Sequence, residues 1–486
     1  MKLALTFLCS LLLLCEFVKA AELDFARDIR PLLSDKCYNC HGPDEKARKA
    51  KLRLDDRVAV LEAGVLSDGE MLKRLTSDDP EERMPPVKSN RVLHDEDRAK
   101  LVQWLKAGAK WPEDDRHWAF VTPKQPALPE VKNSRWIRNG IDVFVLARLE
   151  REKLQPANEA DKATLLRRMS FDLTGLPPSL TELDAFLKDD SPKAYEKTVD
   201  RLLASPRYGE HMALGWMEAS RYADTDGYQN DRLRYMWVWR DWLIKTLNNN
   251  MPFDRFITEQ MAGDLIPDRN FFTQVATGFN RNHRINSEGG SIPDEWIVEY
   301  VADRVETMGT MFLGLTLTCS RCHDHKYDPI SQKNYYQFIA IFERTIRGEV
   351  QLPSPFSPDG ESITALVASE NITPLKRMYN PGPAYFKNTY LLERGDARLK
   401  QQEVRPRFLN VLMSVNGNEK RWQSSRDSVP ESTYRRSALA RWITDSNHGA
   451  GSLSARVMVN RIWQHHFGHG LVSTPNDFGS RGAPPT

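Results

Sequence analysis

The residues with the clearest chemistry in this chain are two copies of the pattern Cys-x-x-Cys-His, from Cys37 to His41 and from Cys319 to His323. At this spacing two thiols can form thioether bonds to the two vinyl groups of one haem, while the adjacent imidazole binds its iron. The pattern therefore predicts covalently attached haem c at each copy. The residues involved would be Cys37, Cys40, Cys319 and Cys322 for attachment, and His41 and His323 as iron ligands.

A redox-active dithiol and a structural zinc site are the main alternatives for this pattern. A thioredoxin-like dithiol belongs to a βαβ unit, and neither copy follows strand-like sequence. At the first copy zinc would have too few ligands. At the second copy His325 adds a fourth donor, but all four lie within seven residues. Structural zinc usually takes its second ligand pair from a distant segment. A zinc site and an ordinary loop therefore remain alternative interpretations at the second copy only.

Length and charge narrow the class of protein. With 486 residues the chain is too long for one hydrophobic core, and about three domains are expected. The formal net charge is only +2, and basic and acidic residues are interspersed. Neither a nucleic acid nor an anionic membrane surface is therefore predicted as a partner. A redox partner protein is implied by the haem, but no pattern identifies it.

Residues 1–20 have the pattern of a secretory signal peptide. Lys2 precedes an apolar run from Leu3 to Leu14, and small residues place the cleavage site near Ala20. The run is too short for a membrane span, and no later segment is apolar enough to be one. The leucines before Cys15 disfavour lipidation there. Because covalent haem attachment is expected outside the cytoplasm, these features predict export to the periplasm or the extracellular space.

Residues 22–112 are expected to form a small helical haem domain. The predicted helices are one that leads into Cys37, one from Ser67 or Asp68 to Leu75, and one from about Asp95 to Ala107. Met84 is the predicted sixth iron ligand, because the two prolines that follow it hold the chain extended and present the thioether from a loop. Methionine ligation raises the reduction potential of the haem. Met71 and His94 are the alternatives.

The remainder of the chain is divided by composition. Residues 113–136 form a proline-rich linker, and residues 137–343 form a larger domain in which helical periodicity recurs and strand-like alternation is scarce. Within it, Ser179 to Glu182 has the pattern of a capping box that opens a helix. Residues 344–430 are an irregular or sheet-containing connector, and residues 431–486 begin a further domain. The predicted fold class is mainly α: a small class I-like cytochrome c domain, a larger helical domain and a partly irregular C-terminal region.

The second copy of the pattern has an unusual setting. Asp324, His325, Lys326 and Asp328 follow it closely, and His325 is too near His323 in sequence to reach the opposite face of a haem. A distal ligand would have to be remote, or the iron would be open to a small molecule. The candidates for that ligand are His283, His211 and Met308. The simpler alternative is that Asp324, His325 and Asp328 form a solvated ion-pair network that orients the loop.

Three histidines lie at the end of a helix predicted from about Ser454 to Phe467. His465 and His469 have the spacing of a ligand pair, with His466 beside them, but Gly468 would end the helix between them. Ligation of a metal or a haem by this group stays an alternative.

Several segments resemble a known family. Four segments resemble the planctomycete-type cytochrome c domain: Phe25 to Asp28, Cys37 to Gly42, Arg83 to Pro86 and Trp104 to Ala109. In that family the residues that match His41 and Met84 are the proximal and distal iron ligands. Five further segments resemble the cytochrome-like domain of unknown function that accompanies this cytochrome c domain: Ile141 to Leu149, Asp172 to Pro177, Arg221 to Asp224, Ala262 to Leu265 and Cys319 to Pro329. Segments from Arg456 to Gly479 resemble the start of a third family domain, whose pattern would continue past Thr486.

Taken together, these patterns predict an exported c-type cytochrome that carries two haems and transfers electrons. Two other functions stay open. One is a haem-dependent oxidoreductase that acts on a small molecule at the second copy. The other is a binding or scaffold protein that holds a single haem.

Overall fold

The computed structural model describes residues 23–42, 45, 48–112, 116–352, 363–370, 388–413, 418–423 and 432–486. The predicted signal peptide lies outside these residues. The structure is 52% helical and only 4% strand, so the predicted mainly α fold class is confirmed. The chain divides into two compact units, Met1–Trp118 with Lys326–Asp328, and Ala119–His325 with Pro329–Thr486.

The first unit is built from short helices. They are α1 (Arg30–Lys36), α2 (Tyr38–His41), α3 (Arg57–Glu62), α4 (Glu70–Thr76) and α5 (Asp95–Lys106), and a π-helical turn, Phe25–Ile29, leads into α1. The three predicted helices are all present, whereas α3 was not predicted. Its start is fixed by Asp56, whose side chain accepts hydrogen bonds from the backbone N–H groups of Val58 and Ala59.

An aromatic cluster closes one end of this unit. The ring of Phe25 lies 5.7 Å from that of Trp104 on α5 and 4.5 Å from that of Trp111. Ile29 and Leu33 are almost fully buried beside it. Because these apolar side chains recur on one face of the first helical segment, their burial holds α1 against α5. The end of α1 is thereby fixed immediately before Cys37.

The second unit contains the longer helices. They are α6 (Gly140–Arg151), α7 (Lys162–Thr174), α8 (Leu180–Lys188), α9 (Ala194–Leu203), α10 (Pro206–Ala219), α11 (Trp237–Asn248), α12 (Phe253–Ala262), α13 (Phe271–Ala276), α14 (Pro293–Met308), α15 (Gln332–Ile339), α16 (Arg435–Thr444) and α17 (Gly451–Phe467). Antiparallel strands β1 (Ile346–Leu352) and β2 (Ile363–Ser369) pair from Ile346 with Ser369 to Leu352 with Ile363. A second antiparallel pair is formed by β3 (Tyr390–Leu392) and β4 (Lys400–Glu403).

The first hairpin is joined to the helical part of the unit by side-chain hydrogen bonds. The Thr277 hydroxyl exchanges hydrogen bonds with the backbone of Ala368, at 2.9 and 3.1 Å. The guanidinium of Arg281 donates to the carbonyl of Val367 at 3.1 Å. These bonds place β2 directly against the turn Thr277–Arg281, which leads to Asn282. None of the described helices is long and apolar enough to cross a bilayer.

Replacing Ser179 by alanine should lower the free energy of unfolding by about 1 kcal/mol. Ser179 Oγ accepts from the backbone N–H of Glu182 at 3.3 Å, and the Glu182 carboxylate accepts from the Ser179 backbone at 2.8 Å, which is the predicted capping box. Urea denaturation of the variant, with Thr181→Ala in the same turn as control, measures the loss. These hydrogen bonds lower the pKa of Glu182, so the stabilisation should fade on acidification through that pKa. Equal losses for both variants would contradict the capping role.

Candidate functional site

The first Cys-x-x-Cys-His copy forms one helical turn. The backbone N–H groups of Cys40 and His41 both donate to the carbonyl of Cys37, at 3.0 and 2.9 Å. The turn is followed closely by Gly42, where a Cβ atom would lie only 2.3 Å from the carbonyl oxygen of Tyr38. Only glycine fits there, because any side chain would collide with the backbone of the turn itself. The local sequence therefore fixes how the two thiols and the imidazole are presented.

These three residues line a cavity of about 550 Å³ within the first unit, a volume in the usual range for a bound cofactor. Its remaining walls are mainly apolar and include Leu52, Leu54, Val65, Leu75 and Leu93. The donor set and the apolar walls fit haem c, which needs two thiols, an imidazole and a water-poor pocket. The structure thus places Cys37, Cys40 and His41, the residues predicted to hold the first haem, around one cavity.

His41 is suited to bind a metal rather than a proton. Burial lowers its pKa, while the nearby backbone groups of Lys49 and Leu52 act more weakly in the opposite direction. Its Nδ1 atom is buried and makes no hydrogen bond within the part of the chain that the structure describes. A neutral imidazole with a lowered pKa is the form that binds iron.

Cys37 argues against a redox-active dithiol at the first copy. Burial raises the pKa of its thiol to about 12, and the neighbouring Cys40 and Asp35 act in the same direction. Reactive dithiols depend on a thiolate with a lowered pKa. A thiol that stays protonated in this apolar pocket is therefore a poor redox catalyst.

Two of the three candidate sixth ligands line the same cavity. Met84 lies in a loop, and its own backbone N–H donates to the carbonyl of Arg74 at 3.0 Å. This hydrogen bond anchors the loop to α4. Met71 lies on α4 and also packs against the core of the unit. His94 is exposed, stands at the N-cap position of α5 and is not among the residues that line the cavity. Its side chain makes no capping hydrogen bond.

Sequence reasoning missed the charged rim of this cavity. Five basic residues contribute to its lining: Lys36, Lys49, Lys51, Arg74 and Arg91. Arg74 pairs with Glu70 at 2.7 Å and Arg91 with Asp35 at 3.4 Å. A positively charged rim suits the two carboxylates of a haem. The basic stretch before Arg53 was the signal from which part of this rim could have been predicted.

The second copy has a different environment. It lies on the 3-10 turn Thr318–Arg321, where the backbone N–H of Cys322 donates to the carbonyl of Cys319 at 3.3 Å. Cys319, Cys322 and His323 are all exposed. The Cys322 thiol donates to the carbonyl of Arg394 at 3.3 Å, and Nδ1 of His323 lies 2.6 Å from the carbonyl oxygen of Asp324. The donor types match haem c, but the apolar pocket of the first copy has no counterpart among these contacts.

The loop after the second copy is not a solvated network. His325 and Asp328 are only 3% and 2% exposed, so the expectation of a solvated ion-pair network is wrong for both. The backbone of His325 donates to the carbonyl of Ile330 at 2.8 Å, and Asp324 accepts from the backbone of Gln332 at 2.7 Å. These bonds close the loop onto the start of α15. Burial depends on the surrounding fold, which a cluster of charged residues in the sequence does not reveal.

The candidate distal ligands for the second copy are held by other contacts. His283 is buried, with Nδ1 at 2.9 Å from the carbonyl oxygen of Arg284 and Nε2 at 3.2 Å from the Arg304 guanidinium. Met308 is fully buried in α14. The ring of His211 lies 5.4 Å from that of His465. Neither nitrogen of His283 is therefore ready to bind iron.

The C-terminal histidines face a backbone segment of α7. Nε2 of His465 lies 2.6 Å from the carbonyl oxygen of Asp172, and Nδ1 of His466 lies 3.2 Å from its carboxylate. Helix α17 ends at Gly468, which has a φ of +80°, as the glycine predicted. Over the described ranges, no group of three or more His, Cys, Asp or Glu side chains is arranged to hold a metal ion by itself.

The first unit is helical and has two thiols, an imidazole and two thioethers around one apolar cavity. These features define it as a c-type cytochrome domain. The family described as planctomycete cytochrome C matches residues 37–88. PSCyt2, described as a protein of unknown function (DUF1549), matches residues 140–347, and PSD1, also of unknown function (DUF1553), matches residues 435–486. No curated protein and no solved structure matches the chain. The chain therefore carries these three family domains in the predicted order.

Proposed function

We propose that this protein is an exported cytochrome that transfers electrons, with haem c attached to Cys37 and Cys40. The observation that carries this proposal is the apolar cavity that brings both thiols together with His41 and Met84. Haem c, when bound, supplies one-electron redox chemistry. Export is supported by the signal-peptide pattern of residues 1–20.

The residues of this cavity have separate roles in the proposal. Cys37 and Cys40 fix the group covalently, and His41 offers the neutral imidazole that binds iron. Met84 offers a thioether from an anchored loop, which favours the reduced state. The leucine and valine walls exclude water, and the basic rim neutralises carboxylates. A site closed on both sides by protein ligands suits electron transfer rather than catalysis.

A second haem at Cys319, Cys322 and His323 is the further part of the proposal. It is supported by the repeated spacing and by the turn that links the two cysteines, as in the first copy. The exposure of all three residues distinguishes it from the first site. Electron transfer between two haems and a partner protein is the function that such a pair would serve.

The proposal predicts two covalent haems in the exported protein. The full chain is produced with its own N-terminal segment in a host that has a c-haem maturation system, and intact mass and haemochrome spectra are recorded. We expect a mass that lacks residues 1–20 and includes two haem groups, with one haem left in each double variant, Cys37→Ala/Cys40→Ala and Cys319→Ala/Cys322→Ala. The absence of covalent haem would end the proposal. An unchanged haem content in the second variant would restrict it to a single haem.

A haem-dependent oxidoreductase is the second candidate function. It is favoured by a polar cavity in the second unit whose lining includes Arg321, one of the two residues between Cys319 and Cys322. It requires an iron at His323 that is open to a small molecule. A spectrum in which every iron is six-coordinate and low-spin would argue against this candidate, and the electron-transfer proposal would stand.

A further inference from the structure

The second unit contains a cavity of about 470 Å³ that is separate from the candidate haem pocket. Its walls come from the segment between α10 and α11, the segment that follows the turn Thr277–Arg281, helix α14 and the turn of the second Cys-x-x-Cys-His copy. The volume is in the range of small-molecule sites. Its lining is dominated by charged and hydrogen-bonding side chains, so an apolar ligand would leave many of them desolvated.

The charges in these walls are largely compensated by one another. Arg221 forms an ion pair with Asp303, and Arg321 forms one with Glu299. Arg284 lies 3.8 Å from the same Glu299 carboxylate. Because the guanidinium groups already face carboxylates, the cavity offers no strong net field for an anion. It offers both hydrogen-bond donors and acceptors.

The side chain of Asn282 in this wall has no hydrogen-bond partner within the described part of the chain. Asn282 is only 2% exposed, and neither its Oδ1 nor its Nδ2 makes a hydrogen bond among the residues that the structure describes. Its backbone is used instead: the carbonyl accepts from Arg234 at 3.3 Å, and the N–H donates to the carbonyl of Phe279 at 3.4 Å. A buried amide without hydrogen bonds destabilises the folded state, and native proteins contain few of them. Because Asn282 lines the cavity, its amide is available to a molecule that occupies it.

Arg221 occupies a backbone position that glycine usually fills. It follows α10 with a φ of +61°, and its N–H donates to the carbonyl of Glu218 while that of Tyr222 donates to Met217. This is the Schellman ending of a helix, in which a non-glycine residue at the left-handed position is strained. In this backbone conformation the arginine side chain lies in the cavity wall and pairs with Asp303. Strain of this kind is typical of ligand sites.

We propose that this cavity binds a neutral, hydroxyl-rich small molecule of the sugar or polyol class. A hydroxyl group both donates and accepts, so neighbouring hydroxyls can satisfy Nδ2 and Oδ1 of Asn282 together and can also form hydrogen bonds with the arginines and carboxylates of the wall. An anion would find three of the four arginines in the wall already facing carboxylates, and an amide ligand has fixed donors and acceptors that match fewer of these groups. This site goes beyond electron transfer and does not depend on whether the second copy carries haem.

The test is equilibrium binding of named probes to the full haem-loaded chain. D-glucose, D-galactose and myo-inositol are compared with the anion D-glucuronate by calorimetry and saturation-transfer NMR. At least one neutral probe should bind saturably, and Asn282→Ala should weaken it by about tenfold or more, because the probe loses the hydrogen bonds of the amide. Asn447→Ala, at an exposed asparagine in the same unit, is the matched control and should leave binding unchanged.

The same variants separate binding from folding. Without a probe, Asn282→Ala should have a melting temperature no lower than that of the original protein, since it removes a buried amide that makes no hydrogen bond. If the alanine variant folds poorly, Asn282→Asp replaces it in the test. This variant keeps the shape of the side chain but removes the donor, so it should also weaken binding. Binding that is unchanged in both variants, binding of D-glucuronate alone, or no binding of any probe would each overturn the proposal.

Discussion

Replacing Arg436 by methionine is expected to lower the free energy of unfolding by about 3–5 kcal/mol. Arg436 is fully buried at the start of α16, and its guanidinium pairs with both carboxylate oxygens of Asp264, at 2.9 and 2.7 Å. Nε also lies 3.4 Å from the Glu370 carboxylate. Methionine keeps much of the volume but removes the charge, which leaves two buried carboxylates without their counter-ion. Urea denaturation followed by circular dichroism measures the loss.

The control for this prediction is the neighbouring arginine. Arg435 pairs with Glu343 at 3.0 Å, but its side chain is 28% exposed, so water screens the pair and Arg435→Met should cost about 1 kcal/mol or less. Equal losses for the two variants would contradict the importance of the buried cluster. Adding Asp264→Asn and Glu370→Gln to Arg436→Met should restore most of the stability, because the uncompensated charges are then removed.

The pH dependence of the Arg436→Met variant follows from the same cluster. Burial raises the pKa of Asp264 even with Arg436 beside it, and Arg436 acts in the opposite direction. Without the arginine, the folded-state pKa rises further above that of the unfolded chain. The penalty is therefore absent at a pH below the unfolded pKa and grows as the pH rises through the folded pKa. The difference between the variant and the original protein should shrink on acidification.

The sequence predicted features that depend on neighbouring residues. The capping box at Ser179, the glycine that ends α17 and the helix that leads into Cys37 are each formed by residues within a few positions of one another. Their geometry follows from local backbone hydrogen bonds. Helix α3 was not predicted although Asp56 gives a cap signal of the same kind, because a helix of six residues is too short for its apolar positions to repeat at helical spacing.

The features that were not predicted depend on residues far apart in the chain. Arg436 meets Asp264 across a separation of 172 residues, and no local pattern marks either as a partner of the other. The buried amide of Asn282 and the burial of His325 likewise result from how distant helices pack. The candidate haem site was predictable because its donors carry a fixed spacing, whereas the polar cavity is assembled from four separated segments and has no such signature.

Met84→Ala in the haem-loaded protein is expected to lower the reduction potential of the first site by on the order of 0.1–0.3 V, a part of the ~0.8 V range that axial ligands span. The thioether stabilises reduced iron, and its removal leaves water or a weaker donor in its place. Spectroelectrochemical titration measures the potential, and the loss of the absorption band of methionine-bound ferric haem identifies the ligand. The thiols and His41 stay in place, so covalent haem should be retained.

Met71→Ala is the matched control, because both methionines line the cavity and only their other contacts distinguish them. Met71 packs against the buried core of the first unit, so its side chain already has a structural role, and its loss should reduce stability while the potential changes little. Met84 lies on a loop fixed through its backbone N–H to Arg74, which leaves the thioether available to the cavity. If Met71→Ala instead removes the methionine band, then α4 supplies the ligand, and the loop of Met84 serves only to cover the pocket.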